Sequence, residues 1–244
     1  MCLLALRLGT VPGVPLVLAA NRDESLARAF DPPRVHPGPV PFLAPVDREA
    51  GGTWVGLNAA GLAVALTNRP SREPPPGRRS RGLLVLDALR AASLDGLRGA
   101  LDRHLRGQRA IYDNFHLLAA SSEGAFVVRT HDGWTEVTDL DGGDHFLTNE
   151  DELGEPWVAA VAAGAGADPA AEADRLAGIL RGHDPVLPRG RAACRHGEGR
   201  GTVSSSVIAL PEEGIRGALF RFAGGPPCTA SFQDLSAAAR GLAP

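Results

Sequence analysis

A cysteine stands at position 2, directly behind Met1, and it is the residue of this chain best suited to nucleophilic chemistry. Its side chain is small, so methionine aminopeptidase can remove Met1 and leave a chain that begins with Cys2. That residue would then carry a thiol and a free α-amine together. An α-amine has an ordinary pKa of about 7.7–8.0, so near neutral pH it can take the thiol proton and return it to a leaving group. An ordinary alternative stands beside this, a small apolar residue opening a buried strand. Acyl transfer to a thiol also needs donors aimed at the oxyanion and a group that orients the base. Three polar clusters each close an apolar run: Asn21-Arg22-Asp23-Glu24, Thr67-Asn68 and Thr148-Asn149. The ends of neighbouring strands gather at one sheet edge, where such side chains can share a pocket. Taken singly, an Asn at a strand end also suits a turn.

The elements that must position these residues are legible as paired strands with helices between them. Leu3–Leu8 and Val14–Ala20 are apolar runs around the turn residues 9–13, and they read as a hairpin buried on both faces. The polar string at Asn21 ends the second strand, and Asp31–Pro45 reads as a Pro-rich loop. Gly51–Asn58 and Gly61–Asn68 form a second hairpin, and Ser71–Arg81 reads as a basic, solvated, Pro-rich loop. Leu83–Leu105 is helical in pattern, divided where Ser93 and Asp95 can cap. Phe115–Ala120 and Ala125–Thr130 make a further hairpin, followed by strands over Trp134–Thr138 and His145–Thr148. Helices are expected over Glu150–Ala163 and over Ala170–Leu180, the latter capped by Asp168 with Pro169 in its first turn. Val203–Leu210 and Ile215–Phe222 close the chain as a hairpin. Paired strands with intervening helices suit two stacked sheets covered by helices.

Composition narrows the function. The 244 residues suffice for one sizeable core, and a single domain over residues 1–244 is expected. A net charge of -3 gives no sign of nucleic acid or an anionic membrane as partner. All 25 basic residues are arginine, which fits a genomic base-composition bias. Three cysteines without paired spacing, Cys2, Cys194 and Cys228, argue for a reducing compartment, and a cytoplasmic location is expected. Cys194 and His196 stand close together, but two ligands do not make a metal site, so neither metal nor resident cofactor is expected. No apolar run approaches the ~20 residues of a membrane span. Arg7, Gly9, Pro12 and Gly13 break the pattern a signal peptide requires. Oligomeric state is not readable.

Taken together, several strings resemble the NRDE family, also called the transport and Golgi organisation protein 2 family. They are Met1-Cys2, Ala20–Glu24, Gly51-Gly52-Thr53-Trp54 and Leu66-Thr67-Asn68, then Ser80-Arg81-Gly82, Tyr112-Asp113-Asn114-Phe115, Leu147-Thr148-Asn149, Pro156-Trp157 and Gly201–Ser205. A fainter likeness, to choloylglycine hydrolases and penicillin V acylases, carries chemistry. Those enzymes also begin Met-Cys, carry Asn-x-Asp at the end of the second strand, and have a later Leu-Thr-Asn. The resemblance implies an α+β fold, a four-layer αββα sandwich of N-terminal-nucleophile hydrolase type. It implies Cys2 as nucleophile, Asp23 orienting its amine, and Asn68 and Asn149 forming the oxyanion hole. Asn21, Arg22 and Trp54, which stand in the two most specific strings, are expected to bind substrate. The chain departs from those hydrolases at their arginines: Ala19 or Ala20 stands at one such position and Ser204-Ser205-Ser206-Val207 offers none at another, while Val203 stands where many NRDE relatives have arginine, with Arg22 the available substitute. Two functions follow as expectations. One is a cysteine hydrolase or acyltransferase acting on a linear amide or related acyl bond of a small molecule. The other is a non-catalytic protein on the same fold that binds haem, acyl-coenzyme A or lipid.

Overall fold

Strands β1 (Leu3–Val11) and β2 (Val14–Ser25) are apolar at nearly every position because both of their faces are covered. The even-numbered Leu4, Leu6, Leu16 and Leu18 point into one apolar cluster, and the odd-numbered Leu3, Ala5, Val17 and Ala19 into another. This is the period-two alternation of strands sandwiched between two layers. The computed structural model describes residues 2–72, 77–108, 111–132, 134–149, 164–184 and 192–243. The helix expected over Glu150–Ala163 lies outside them.

A seven-stranded antiparallel sheet runs in sequence order. It comprises β3 (Phe30–His36), β4 (Phe42–Asp47), β5 (Val55–Asn58), β6 (Ala63–Asn68), β7 (Phe115–Ser121), β8 (Gly124–His131) and β9 (Trp134–Leu140). The six-stranded sheet adds β10 (Gly143–Thr148), β11 (Arg200–Leu210), β12 (Leu219–Ala223) and β13 (Gln233–Asp234), in the order β10-β1-β2-β11-β12-β13. Leu6, Leu18, Leu118 and Val127 pack in the layer between the sheets. Helices α1 (Arg81–Ala88) and α2 (Leu94–Gln108) cover the outside of the seven-stranded sheet, with Leu84, Val85 and Leu101 against Val64 and Leu117. Helix α3 (Pro169–Leu180) covers the other sheet, with Leu176 and Leu180 against Val17 and Val207. A short α4 (Ser236–Arg240) lies near the C-terminus. The result is the expected α+β, four-layer αββα sandwich. Among the described residues no helix is long and apolar enough to cross a membrane.

The local signals hold where the chemistry of a turn or cap is specific. Asp168 accepts from the backbone N–H groups of Ala170 and Ala171 at the start of α3. The Asn58 side chain accepts from Ala60 and Leu62, and Gly61 takes a φ of 74°, which closes the β5–β6 hairpin. Two expectations are corrected. The polar string Asn21–Glu24 does not end β2 but continues it, paired with β11 from Arg200 to Ser205. The segment Asp31–Pro45 is not a loop: it forms most of β3 and β4. Pro32 and Pro33 are tolerated because β3 is the sheet's edge strand and its register with β4 shifts between Asp31 and Arg34.

Candidate functional site

Strand register places Cys2. Leu3 pairs with Thr148 of β10 on one side and with Asn21 of β2 on the other. One step further along, Cys2 lies between Asn149 and Arg22, at the edge of the inter-sheet layer. The Cys2 backbone N–H donates to the Asn149 Oδ1 atom. The Cys2 thiol lies 3.9 Å from the Asp23 carbonyl oxygen. Burial pushes this thiol above its ordinary pKa, and the Asp23 carboxylate adds to the effect. The resting side chain is therefore a thiol, and it becomes a nucleophile only with a base beside it.

Asp23 is held by the strand next to it. Thr202 Oγ1 donates to Asp23 Oδ1 at 2.6 Å, and Arg195 Nη1 lies 3.6 Å from Oδ2. Thr202 pairs with Asp23 and Ser204 with Arg22, so Val203 is the extra residue of a β-bulge opposite the site. The bulge bends β11 where it passes Arg22 and Asp23.

That pocket has a volume of about 300 Å³ and is lined by Cys2, Arg22, Asp23, Trp54 and Asn68, with further side chains from residues 78–82. Arg22 is buried, stacks 4.0 Å over the Trp54 ring and donates from Nη2 to Asp47 at 2.8 Å. Its Nη1 atom is buried without a hydrogen-bond partner among the described residues. Burial pulls its pKa down, although Asp47 opposes this. Burial raises the Asp47 pKa, but hydrogen bonds from Arg28 and Ala50 outweigh it and hold the carboxyl below its ordinary value.

The pocket wall explains two of the motif glycines. A Cβ on Gly52 would meet the Gly82 backbone at 2.4 Å, and a Cβ on Gly82 would meet the Thr53 carbonyl oxygen at 2.9 Å. The Gly-Gly-Thr-Trp and Ser-Arg-Gly strings are thus two backbones in direct contact, joined by a Thr53 N–H to Gly82 carbonyl bond of 3.1 Å. Gly52→Ala is expected to lower stability by roughly 2–3 kcal/mol, since backbone on both sides cannot yield. A chemical-denaturation midpoint unchanged from wild type would contradict this close approach.

Asn149 and Asn68 come from different sheets, and a buried bridge sets their relative position. Thr67 Oγ1 donates to the Thr148 carbonyl at 3.2 Å, and His116 Nδ1 lies 3.0 Å from the same oxygen. Burial, reinforced by Arg69, pushes the His116 pKa down from 6.5 to about 4. The unfolded chain therefore binds this proton near pH 6.5 and the folded chain only near pH 4, so His116 makes stability fall as pH drops through that window. The loss over the window is about 3 kcal/mol. His116→Asn should flatten this part of the pH dependence in denaturant titrations. An identical slope in variant and wild type would remove His116 as its source.

Of the residues expected from sequence, Cys2, Arg22, Asp23, Trp54 and Asn68 share the pocket, and Asn149 joins them through Cys2. Asn21 does not. It lies on the odd-numbered, helix-facing side of β2, where its amide donates to the carbonyls of Leu180 and Ala193 at 3.0 and 2.9 Å. Ser205 donates to its Oδ1, so Asn21 fastens layers together and does not contact the pocket. Sequence reading also missed Arg78, Arg79 and Arg81, taken as part of a solvated loop. They line the pocket, and Asp113 and the Asn114 carbonyl anchor Arg78 and Arg81 at 2.8 and 2.7 Å.

This architecture is that of the N-terminal-nucleophile hydrolases. The chain superposes on penicillin V acylase from Agrobacterium tumefaciens with a TM-score of 0.58 at 15% identity, covering 97% of this chain and 86% of that one. It matches the C2A mutant of conjugated bile acid hydrolase from Clostridium perfringens with a TM-score of 0.52 at 14% identity, over 97% and 93% of the two chains. An N-acylethanolamine-hydrolyzing acid amidase ortholog from Caenorhabditis elegans gives 0.55 at 16% identity, over 86% and 94%. Within this fold the chain belongs to the Transport and Golgi organisation 2 family, whose family model matches residues 1–165. The Mus musculus homolog is 32% identical over 149 residues, which is 58% of this chain and 52% of the relative. The Homo sapiens homolog is 33% identical over 108 residues, 43% and 38% of the two chains. The chain thus spans about half the length of the mouse relative and less of the human one.

Proposed function

We propose that this protein is a cysteine hydrolase or acyltransferase that cleaves a linear amide or related acyl bond of a small molecule. The observation that carries the reading is that Cys2 and Asp23 line one polar pocket while Asn149 accepts from the Cys2 nitrogen. Once Met1 is removed, the Cys2 nitrogen bonded to Asn149 becomes the α-amine. It takes the proton of the buried thiol, and the thiolate attacks the carbonyl carbon. The oxyanion collects hydrogen bonds from the Asn149 amide NH2, which its Oδ1 contact leaves available, and from Asn68. The amine then returns the proton to the leaving group, and water or an acceptor resolves the thioester. Asp23 orients the amine.

Arg22 supports a more specific reading of the substrate. A buried guanidinium with one free N–H pair, stacked on Trp54, suits a carbonyl or carboxylate oxygen on the substrate. Arg78, Arg79 and Arg81 extend that preference along the wall. A polar, arginine-lined pocket of this size favours a small acyl compound over an apolar macrocycle such as haem. Turnover of a panel of N-acyl amino acids and β-lactams by wild type and Cys2→Ala tests the reading. Equal rates in the two would take Cys2 out of the mechanism.

A further inference from the structure

Near Asp23, through Arg195, two thiols and two imidazoles converge. His183 follows α3, Cys194 and His196 precede β11, and Cys228 lies in the turn after β12. Their ligand atoms all lie within 4.8 Å of one another. Cys194 Sγ is 3.6 Å from Cys228 Sγ and 3.7 Å from His196 Nε2, and that nitrogen is 3.2 Å from Cys228 Sγ. The His183 and His196 rings stand 5.2 Å apart between centroids. A tetrahedral ion with metal–sulfur bonds of ~2.3 Å and metal–nitrogen bonds of ~2.0–2.1 Å sets edges of roughly 3.8 Å between sulfurs and 3.5 Å between sulfur and nitrogen. The three separations among Cys194, His196 and Cys228 fall close to those edges, and His183 stands within 4.8 Å of each. A disulfide, with sulfurs ~2.05 Å apart, does not describe this pair.

We propose that His183, Cys194, His196 and Cys228 form a closed, tetrahedral Cys2His2 site for a zinc ion. Thiolate and imidazole donors select zinc over magnesium or calcium, which take oxygen ligands. Four protein ligands leave no open position, so the ion is structural and takes no part at Cys2. As it binds, Cys194 and Cys228 release their thiol protons to solvent. The ion ties together three segments that are also joined by hydrogen bonds: the Cys194 N–H donates to the Gly182 carbonyl at 3.0 Å, and Arg181 Nε donates to the Pro227 carbonyl at 3.1 Å. Between two of the ligands stands Arg195. Its side chain faces Asp23 at 3.6 Å, and its backbone N–H donates to Thr202 Oγ1, the group that itself donates to Asp23. Fixing residues 194–196 therefore fixes one side of the Asp23 carboxylate.

The test is the metal content of the full chain, purified under reducing conditions from zinc-supplemented cells. About one zinc per chain is expected, and cobalt(II) substituted for it should give the intense visible bands and thiolate charge transfer of a tetrahedral complex. Cys228→Ser and His196→Asn should each cut retained zinc at least ~10-fold, while Cys2→Ala keeps it. Should those variants fail to fold, chelation of the wild type still reports: zinc removal should lower its melting temperature and zinc return restore it. A reduced, zinc-exposed chain that holds no metal overturns the proposal, as does a weak octahedral cobalt spectrum. So does a Cys194–Cys228 disulfide whose reduction does not restore zinc binding. Metal content is read without substrate, so these outcomes are independent of whether Cys2 is a nucleophile.

Discussion

Replacing Cys2 with alanine should lower the rate of amide cleavage by about 10³-fold or more and leave the fold intact. In the proposed mechanism the Cys2 thiol is the group that forms the acyl intermediate. The neighbours Asp23, Arg22 and Asn149 can bind and polarise a substrate, but none is placed to attack its carbonyl carbon. The residual rate would reflect the oxyanion donors and substrate binding alone. Cys2 lies at the start of β1, beyond the main inter-sheet cluster, and losing one sulfur there leaves the register of Leu3 with Thr148 and Asn21 untouched. Unfolding midpoints of the variant and wild type should therefore stay close, which separates loss of the nucleophile from loss of structure. Blocking removal of Met1 should have a similar effect on rate, because the thiol is buried and shifted toward its protonated form. Without the α-amine the proposed mechanism has no group to take the thiol proton.

Asn149→Ala should lower kcat by roughly 10²–10³-fold, the usual cost of one lost oxyanion donor, with little change in KM. In the proposed mechanism Asn149 has two functions with separate atoms: Oδ1 receives the Cys2 N–H, and the amide NH2 donates to the oxyanion. Asn149→Asp separates them. It keeps an acceptor for the amine but replaces the donor with a negative charge beside the developing oxyanion, so it should be no more active than the alanine variant. An aspartate variant near wild-type activity would show that positioning the amine is the role that matters. The bond through Thr148 to Thr67 and His116 predicts a related, smaller effect of His116→Asn on kcat, since that bridge sets where Asn149 stands.

Much of this was legible in the sequence, for physical reasons that differ by element. The β1–β2 hairpin, the cap at Asp168 and the turn at Asn58–Gly61 are set by local chemistry, and all three stand where the residues put them. Two sheets between helices also follow from apolar strands buried on both faces. The prolines of Asp31–Pro45 misled because their cost depends on whether a strand is central or at an edge, which is a tertiary fact. Asn21 misled differently. Adjacent residues of a strand face opposite ways, so Asn21 faces away from the side of β2 that carries Arg22. Parity along β2, counted from Leu16 and Leu18, carries that signal.

The pocket's arginines were hidden because a basic, Pro-rich stretch between strand and helix has the composition of a solvated loop. Contacts with groups outside this stretch draw it onto the wall: Asp113 and Asn114 hold Arg78 and Arg81, and Asp87 holds Arg79. His116 was hidden inside an apolar strand, where nothing local marks it as the bridge to Thr148. The four-ligand cluster was half visible. Cys194 and His196 adjoin in sequence, but His183 and Cys228 reach them only through the packing of α3 and the turn after β12.

The central claim is that Cys2, freed of Met1, forms a covalent acyl intermediate. Mass spectrometry of the intact protein, before and after incubation with a thiol-reactive acyl probe, addresses it most directly. Met1 is the only methionine, so its loss is unambiguous. The account predicts a chain that begins at Cys2 and one acyl adduct, mapped by peptide analysis to Cys2 and absent from Cys194 and Cys228. A chain that retains Met1, or a probe that labels the other cysteines and passes over Cys2, would contradict it.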